Sequence, residues 1–243
     1  MRILGRIELF KPDSIIIPSR FCGPKNSGHG GYTAGTLAEY LSGPVEVTIK
    51  RPIPMDQKMA LVFGLDGLRL EEGGQEVAQA IPTEIQLDRI EIPTPSEAKH
   101  SKKFSCPEDT HLYPSCFVCG PKRERGDGLR VFPGLVPSKE YACALWTPSA
   151  DLADVDGLVK TPFIWSLLDC PAFFGLGLTN TYMLTGRISA EIIERPETGV
   201  PYIVSGWRVG QDGRKHFAAS AIFDIEQNLI AKSTSTWIEP RKN

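Results

Sequence analysis

The chain has 243 residues, room for one large domain or two small ones, since domains typically run to about 100–150 residues. At 41% hydrophobic and 23% charged residues, with a net charge of −2, it reads as a globular protein with no overall field to hold nucleic acid or an anionic membrane. Its apolar runs fall well short of the ~20 residues of a membrane span, and six cysteines in a chain of this length point to reduced thiols in the cytoplasm, not to a disulfide scaffold.

In chain order, residues 1–13 (MRILGRIELFKPD) read as a first strand, because no long apolar core and small-residue cleavage site mark a signal peptide. Residues 31–41 (GYTAGTLAEYL) have helical spacing, with Leu37 and Leu41 on one face. Residues 45–51 (VEVTIKR) alternate as a strand that stops at Arg51-Pro52, since proline cannot donate to the ladder. Further strands are expected over 59–65 and 75–81, with Glu72-Gly73-Gly74 as the turn, and over 84–92. The second half repeats this order: a helix over 161–178, then strands over 186–194, 202–209, 215–224 and 229–238. TIKRPIP matches IIERPET, and LVFGL matches IVSGW. Each half offers one helix and an antiparallel meander, so the fold class is α+β, the helix burying its stripe on the sheet. The expected units are 1–95, a connecting segment over 96–126, and 127–243. A connection that long usually has a task of its own.

Three stretches are more specific: CFVCGPKRERGDGLRV (116–131), W-x-P at Trp146–Pro148, and DGLVKTPFIWSLLDCP (156–171). With these the chain resembles the hotdog acyl-CoA thioesterase superfamily, of the PaaI-like and 4-hydroxybenzoyl-CoA thioesterase-like kind, in a fused double-hotdog form. The family pattern is a CFxCG…GL stretch, then G-x-V-H-G-G before a helix carrying L-x-D. Gly157, Val159, Leu167 and Asp169 fall on it, while Lys160-Thr161-Pro162 replaces the His-Gly-Gly. The first half keeps His29-Gly30-Gly31, but its acid, Glu39, stands ten residues after His29, where Asp169 stands nine after Lys160. One extra residue turns a helix position by about 100°.

The resemblance implies sites between two hotdog units, with backbone N–H groups at one helix start facing the thioester oxygen and a carboxylate on the other helix acting as nucleophile or base. The first N–H groups of a helix lack intrahelical partners, and glycine lets a ligand approach them. Gly30 and Gly31 therefore suit an oxyanion hole, whereas Pro162 has no N–H to give. The Gly30/Gly31–Asp169 pairing is complete and the Thr161/Pro162–Glu39 pairing is not, so one working site per chain is expected. His29-Gly30-Gly31 also reads as a turn and helix cap, Asp169 as a hydrogen-bonded core carboxylate, and Glu39 as a solvated helix residue. Asn26 is within sequence reach of the thioester, and Thr185 sits where the family often carries a water-orienting hydroxyl. Phe163, Trp165, Phe173 and Phe174 are candidates for the acyl tunnel or plain core.

Cys116-x2-Cys119, with Cys106 and His111 nearby, has the look of a zinc site, but a second close ligand pair is absent and CFxCG belongs to the resemblance. No metal is assigned, and no cofactor beyond the coenzyme A carried by the substrate. Basic clusters at 99–103, 122–125 and 214–216 are solvated loops or, in a coenzyme A user, partners for its phosphates. No G-x-G-x-x-G, P-loop or G-x-S-x-G occurs. The expectation is hydrolysis of acyl-CoA by a cytoplasmic homodimer or higher homo-oligomer, with a non-catalytic acyl-CoA-binding protein and a hotdog-type enoyl-CoA hydratase as rivals.

Overall fold

The computed structural model describes residues 12–241, so the strand expected over 1–13 lies almost wholly outside the described residues. The first described strand is β1 (Ser14–Ile16). Helix α1 (Gly30–Ala38) follows, then β2 (Val45–Ile49), β3 (Lys58–Phe63), β4 (Leu68–Glu72) and β5 (Gln75–Pro82). The second half runs through β6 (Gly134–Leu135), β7 (Tyr141–Trp146), a long helix (Thr161–Gly175), β8 (Leu184–Ile192), β9 (Tyr202–Asp212), β10 (Lys215–Phe223) and β11 (Leu229–Ile238). Between the halves lies a short helix, α2 (Pro95–His100), which makes the long helix α3.

All described strands join one antiparallel sheet, in the order β1-β3-β4-β5-β2-β8-β11-β10-β9-β7-β6. The repeat seen in the sequence is visible in this order. Outward from the seam, β2-β5-β4-β3 on one side mirrors β8-β11-β10-β9 on the other. At the seam β2 pairs with β8, Val45 opposite Ala190 and Thr48 opposite Arg187. Helices α1 and α3 lie together over the sheet. All of α3 except Thr161 is buried, which explains why its sequence is apolar on every side.

The two helices cross closely because of glycines. A Cβ on Gly35 would stand 2.6 Å from Pro162 Cα, and one on Gly31 would stand 2.5 Å from the Trp165 carbonyl oxygen. Side chains at these two positions would separate the helices, so glycine here serves close approach.

Several features differ from the sequence reading. No strand forms over 84–92. Pro82 and Pro93 bracket that stretch, and Leu87 and Ile90 instead pack against a small cluster containing Ile203, Trp207 and Phe223. The segment before Gly73 is strand β4, and the turn is confined to Gly73 and Gly74, both at positive φ. The connecting segment is built into the core: Phe117 and Val118 are fully buried, and the Phe117 N–H donates to the Cys22 carbonyl at 2.8 Å. A capping box of Thr94 and Glu97 starts α2.

Candidate active site at the seam

A cavity of about 540 Å³ opens where β2 leaves the sheet beside the start of β8. His29, Gly30, Asp169 and Thr185 reach its wall from both halves. Leu112, Tyr113, Phe173 and Trp237 give it an apolar side, and Lys25, Asn26, Lys50 and Arg51 stand at its polar rim.

Asp169 projects from the middle of α3 and is buried, 1% exposed. A charge there is tolerated only with partners. The Gly31 N–H, orphaned at the start of α1, donates to Oδ2 at 2.9 Å. The Thr185 hydroxyl donates to Oδ1 at 3.0 Å and to Oδ2 at 3.3 Å. Burial pushes the Asp169 carboxyl up from its ordinary value, against the opposing pull of His29, the Gly31 N–H and Thr185.

His29 is the N-cap of α1, its Nδ1 accepting the Tyr32 N–H at 3.2 Å, and Nδ1 lies 3.7 Å from Asp169 Oδ2. On the other side of the ring, Nε2 is 3.3 Å from the Cys170 Sγ, which is 3.7 Å from the Cys116 Sγ. The facing ligand atoms of His29, Cys116 and Cys170 all lie within 4.8 Å of one another. Burial opposes ionisation of Cys116, but the thiols of Cys119 and Cys170 and the His29 ring hold its pKa well below that of a free thiol.

The structure thus brings together His29, Gly30, Gly31, Asp169 and Thr185, with Asn26 and Phe173 at the cavity. Of the two glycines expected to face a thioester oxygen, Gly31 spends its N–H on Asp169. Gly30 lines the cavity, and its N–H has no acceptor among the described residues. Phe163 and Trp165 are away from the cavity wall. Phe163 sits in an aromatic cluster with Phe21, Tyr32 and Phe117, and Trp165 packs under Gly35. Phe174 packs beside His111.

Glu39 stands apart. It is the C-cap of α1, beyond the last helical residue, and accepts no hydrogen bond among the described residues. It is solvent-exposed, as a solvated helix residue would be, and partial desolvation and the nearby Asp154 raise its pKa. Its surroundings at the start of α3 are tied up by Arg195, which pairs with Asp154 and Asp156 at 2.9 Å each. The basic clusters at 99–103, 122–125 and 214–216 do not reach the cavity. Lys25, Lys50 and Arg51 do, and of these Lys50 and Arg51 pair with Glu76 and Glu72. The sequence reading did not single out Tyr113, whose hydroxyl bridges the Met183 carbonyl and N–H at 2.5 and 2.9 Å, or Cys170. Neither had a signal beyond an ordinary apolar setting.

No family model and no curated protein matches the chain. Solved structures do. A candidate thioesterase of Novosphingobium aromaticivorans shares 10% identity at a TM-score of 0.60, covering 94% of this chain and 95% of that one. A candidate thioesterase II of Thermobifida fusca shares 15% identity at 0.59, covering 96% and 94%. A conserved protein of Alicyclobacillus acidocaldarius with a hot dog fold shares 12% identity at 0.52, covering 95% and 92%. These likenesses run the length of both repeats, and the chain accordingly has the hotdog fold in its double form, two α+β units fused through the β2–β8 seam.

Proposed function

We propose that the chain hydrolyses acyl-CoA thioesters at a single site in the seam cavity. The observation that carries this reading is a buried carboxylate from one half held against the helix start of the other, on the wall of a cavity with one apolar side. Asp169 is the general base for water: its raised pKa makes it a better proton acceptor than an ordinary aspartate. Thr185 and the Gly31 N–H fix its orientation. The Gly30 N–H is the donor for the oxygen that gains charge as water adds to the thioester carbon. The acyl chain lies along Tyr113, Phe173 and Trp237. The coenzyme A phosphates meet Lys25, which has no ion-pair partner among the described residues.

A second reading has an observation of its own. Because Asp169 occupies the Gly31 N–H, one donor fewer is available for catalysis, which favours an acyl-CoA-binding protein without turnover. Thiol release from short, long and aromatic acyl-CoAs, measured beside hydration of an enoyl-CoA, separates the readings. Hydrolysis predicts thiol release well above that of Asp169→Asn. Tight binding with no release supports the binding protein, and hydration alone supports a hydratase.

A further inference from the structure

Three metal-ligating side chains, those of His29, Cys116 and Cys170, meet behind the cavity, and a fourth, Cys119, borders the same cavity. His29 caps α1, Cys116 and Cys119 lie in the connecting segment, and Cys170 is on α3. All are buried, between 2% and 5% exposed, yet all four border the cavity. In a tetrahedral zinc site with Zn–S of about 2.3 Å and Zn–N of about 2.0–2.1 Å, neighbouring sulfurs stand about 3.8 Å apart, and nitrogen and sulfur about 3.6 Å apart. The Cys116–Cys170 separation is 3.7 Å and that from His29 Nε2 to Cys170 is 3.3 Å. A disulfide would need about 2.05 Å. The Cys119 thiol is buried on the cavity wall but stands outside the group of three.

The Cys-x2-Cys turn is shaped by its own backbone. The Gly120 N–H donates to the Cys116 carbonyl at 2.9 Å, and the Lys122 N–H donates to that of Pro114 at 3.0 Å. A Cβ at Gly120 would stand 2.5 Å from the Cys116 carbonyl oxygen, so the turn closes tightly only with glycine there. This turn presents two sulfurs from one loop, as a chelating pair requires.

We propose that His29, Cys116, Cys119 and Cys170 form a Cys₃His site for one Zn²⁺. Cys119 completes the set by turning its thiol into the group of three. This ligand set replaces the grouping with Cys106 and His111 suggested by sequence proximity. Cys106 instead contacts the Pro107 carbonyl and Thr110, and His111 Nδ1 accepts the Tyr113 N–H. The site does not depend on the hydrolytic reading, but it touches the same carboxylate. Binding metal through Nε2 places the imidazole proton on Nδ1. Nδ1 then gives up the Tyr32 N–H and turns its own proton toward Asp169 Oδ2, 3.7 Å away. A histidine between metal and carboxylate is a common outer-shell arrangement.

The test uses the full chain produced with added zinc and purified without chelator. About one zinc per chain is expected by elemental mass spectrometry. Replacement with Co²⁺ should give thiolate-to-metal charge transfer and the intense visible bands of a tetrahedral site. Cys116→Ser and Cys170→Ser should each lower bound metal at least about tenfold, while Cys106→Ser keeps it. The wild-type cobalt spectrum is decisive alone, whether or not the serine variants fold. The proposal is overturned by metal content below about a tenth per chain, by a weak octahedral cobalt spectrum, by Cys170→Ser retaining full zinc, or by an intact mass showing a disulfide within the cluster.

Discussion

Replacing Gly35 by alanine sets two opposing terms against each other. In a helix interior alanine is favoured over glycine by roughly 0.5–1 kcal/mol, because glycine loses more backbone freedom on folding. At Gly35 the added Cβ would meet Pro162 Cα at 2.6 Å and Trp165 Cβ at 2.8 Å. The first of these is backbone and cannot swing aside, so α1 and α3 must separate. Overpacking of this kind costs about 1–3 kcal/mol. The clash wins, leaving a net loss of about 0.5–2 kcal/mol. For a chain of this size that lowers Tm by about 1–8 °C, at roughly 2–4 °C per kcal/mol. Scanning calorimetry of wild type and Gly35→Ala reads this directly. A Tm at or above that of wild type would show that the helices are not held at the distance described, and the packing argument would fail.

Thr185→Val removes the hydroxyl that donates to both Asp169 oxygens. With a hydrogen bond to a charged group worth about 1.5–3 kcal/mol, kcat should fall about 10–100-fold, with Thr185→Ser restoring most of it. Arg195 donates to the carbonyls of Val159 and Leu158 as well as pairing with Asp154 and Asp156. Arg195→Lys loses that planar fork and should destabilise by about 1–2 kcal/mol in denaturant titration. Glu39 carries a raised pKa, so its charged form opposes folding, and that cost appears as pH rises above the ordinary glutamate value of 4.5. Glu39→Gln should therefore raise Tm near about pH 8, with the gain shrinking toward about pH 4. An equal gain at both values would argue against a desolvated charge at Glu39.

Element order was largely readable because both halves alternate cleanly and end at Pro or Gly. Strand β11 appears over the stretch expected. What escaped was of two kinds. Strand β7 has a nearly unbroken apolar sequence, YACALW, buried on both faces, so no alternation marks it. Residues 84–92 do alternate, but bracketing prolines keep them out of the sheet. At the site, Asp169 was conspicuous as a charge among apolar residues. That Gly31 would give its N–H to that carboxylate depends on how closely two helices cross, which the spacing of one repeat does not encode. The thiol cluster was hidden for the same reason. Its members lie up to 141 residues apart, and the cysteine nearest Cys116 on the N-terminal side, Cys106, points elsewhere.

The most direct test is a comparison of Asp169→Asn with Glu39→Gln in acyl-CoA hydrolysis, both confirmed folded by their thermal transitions. Working activity at one seam site predicts that Asp169→Asn loses at least about 10²-fold in kcat while Glu39→Gln stays within about twofold of wild type. Equal losses in the two variants, or full activity in Asp169→Asn, would contradict it.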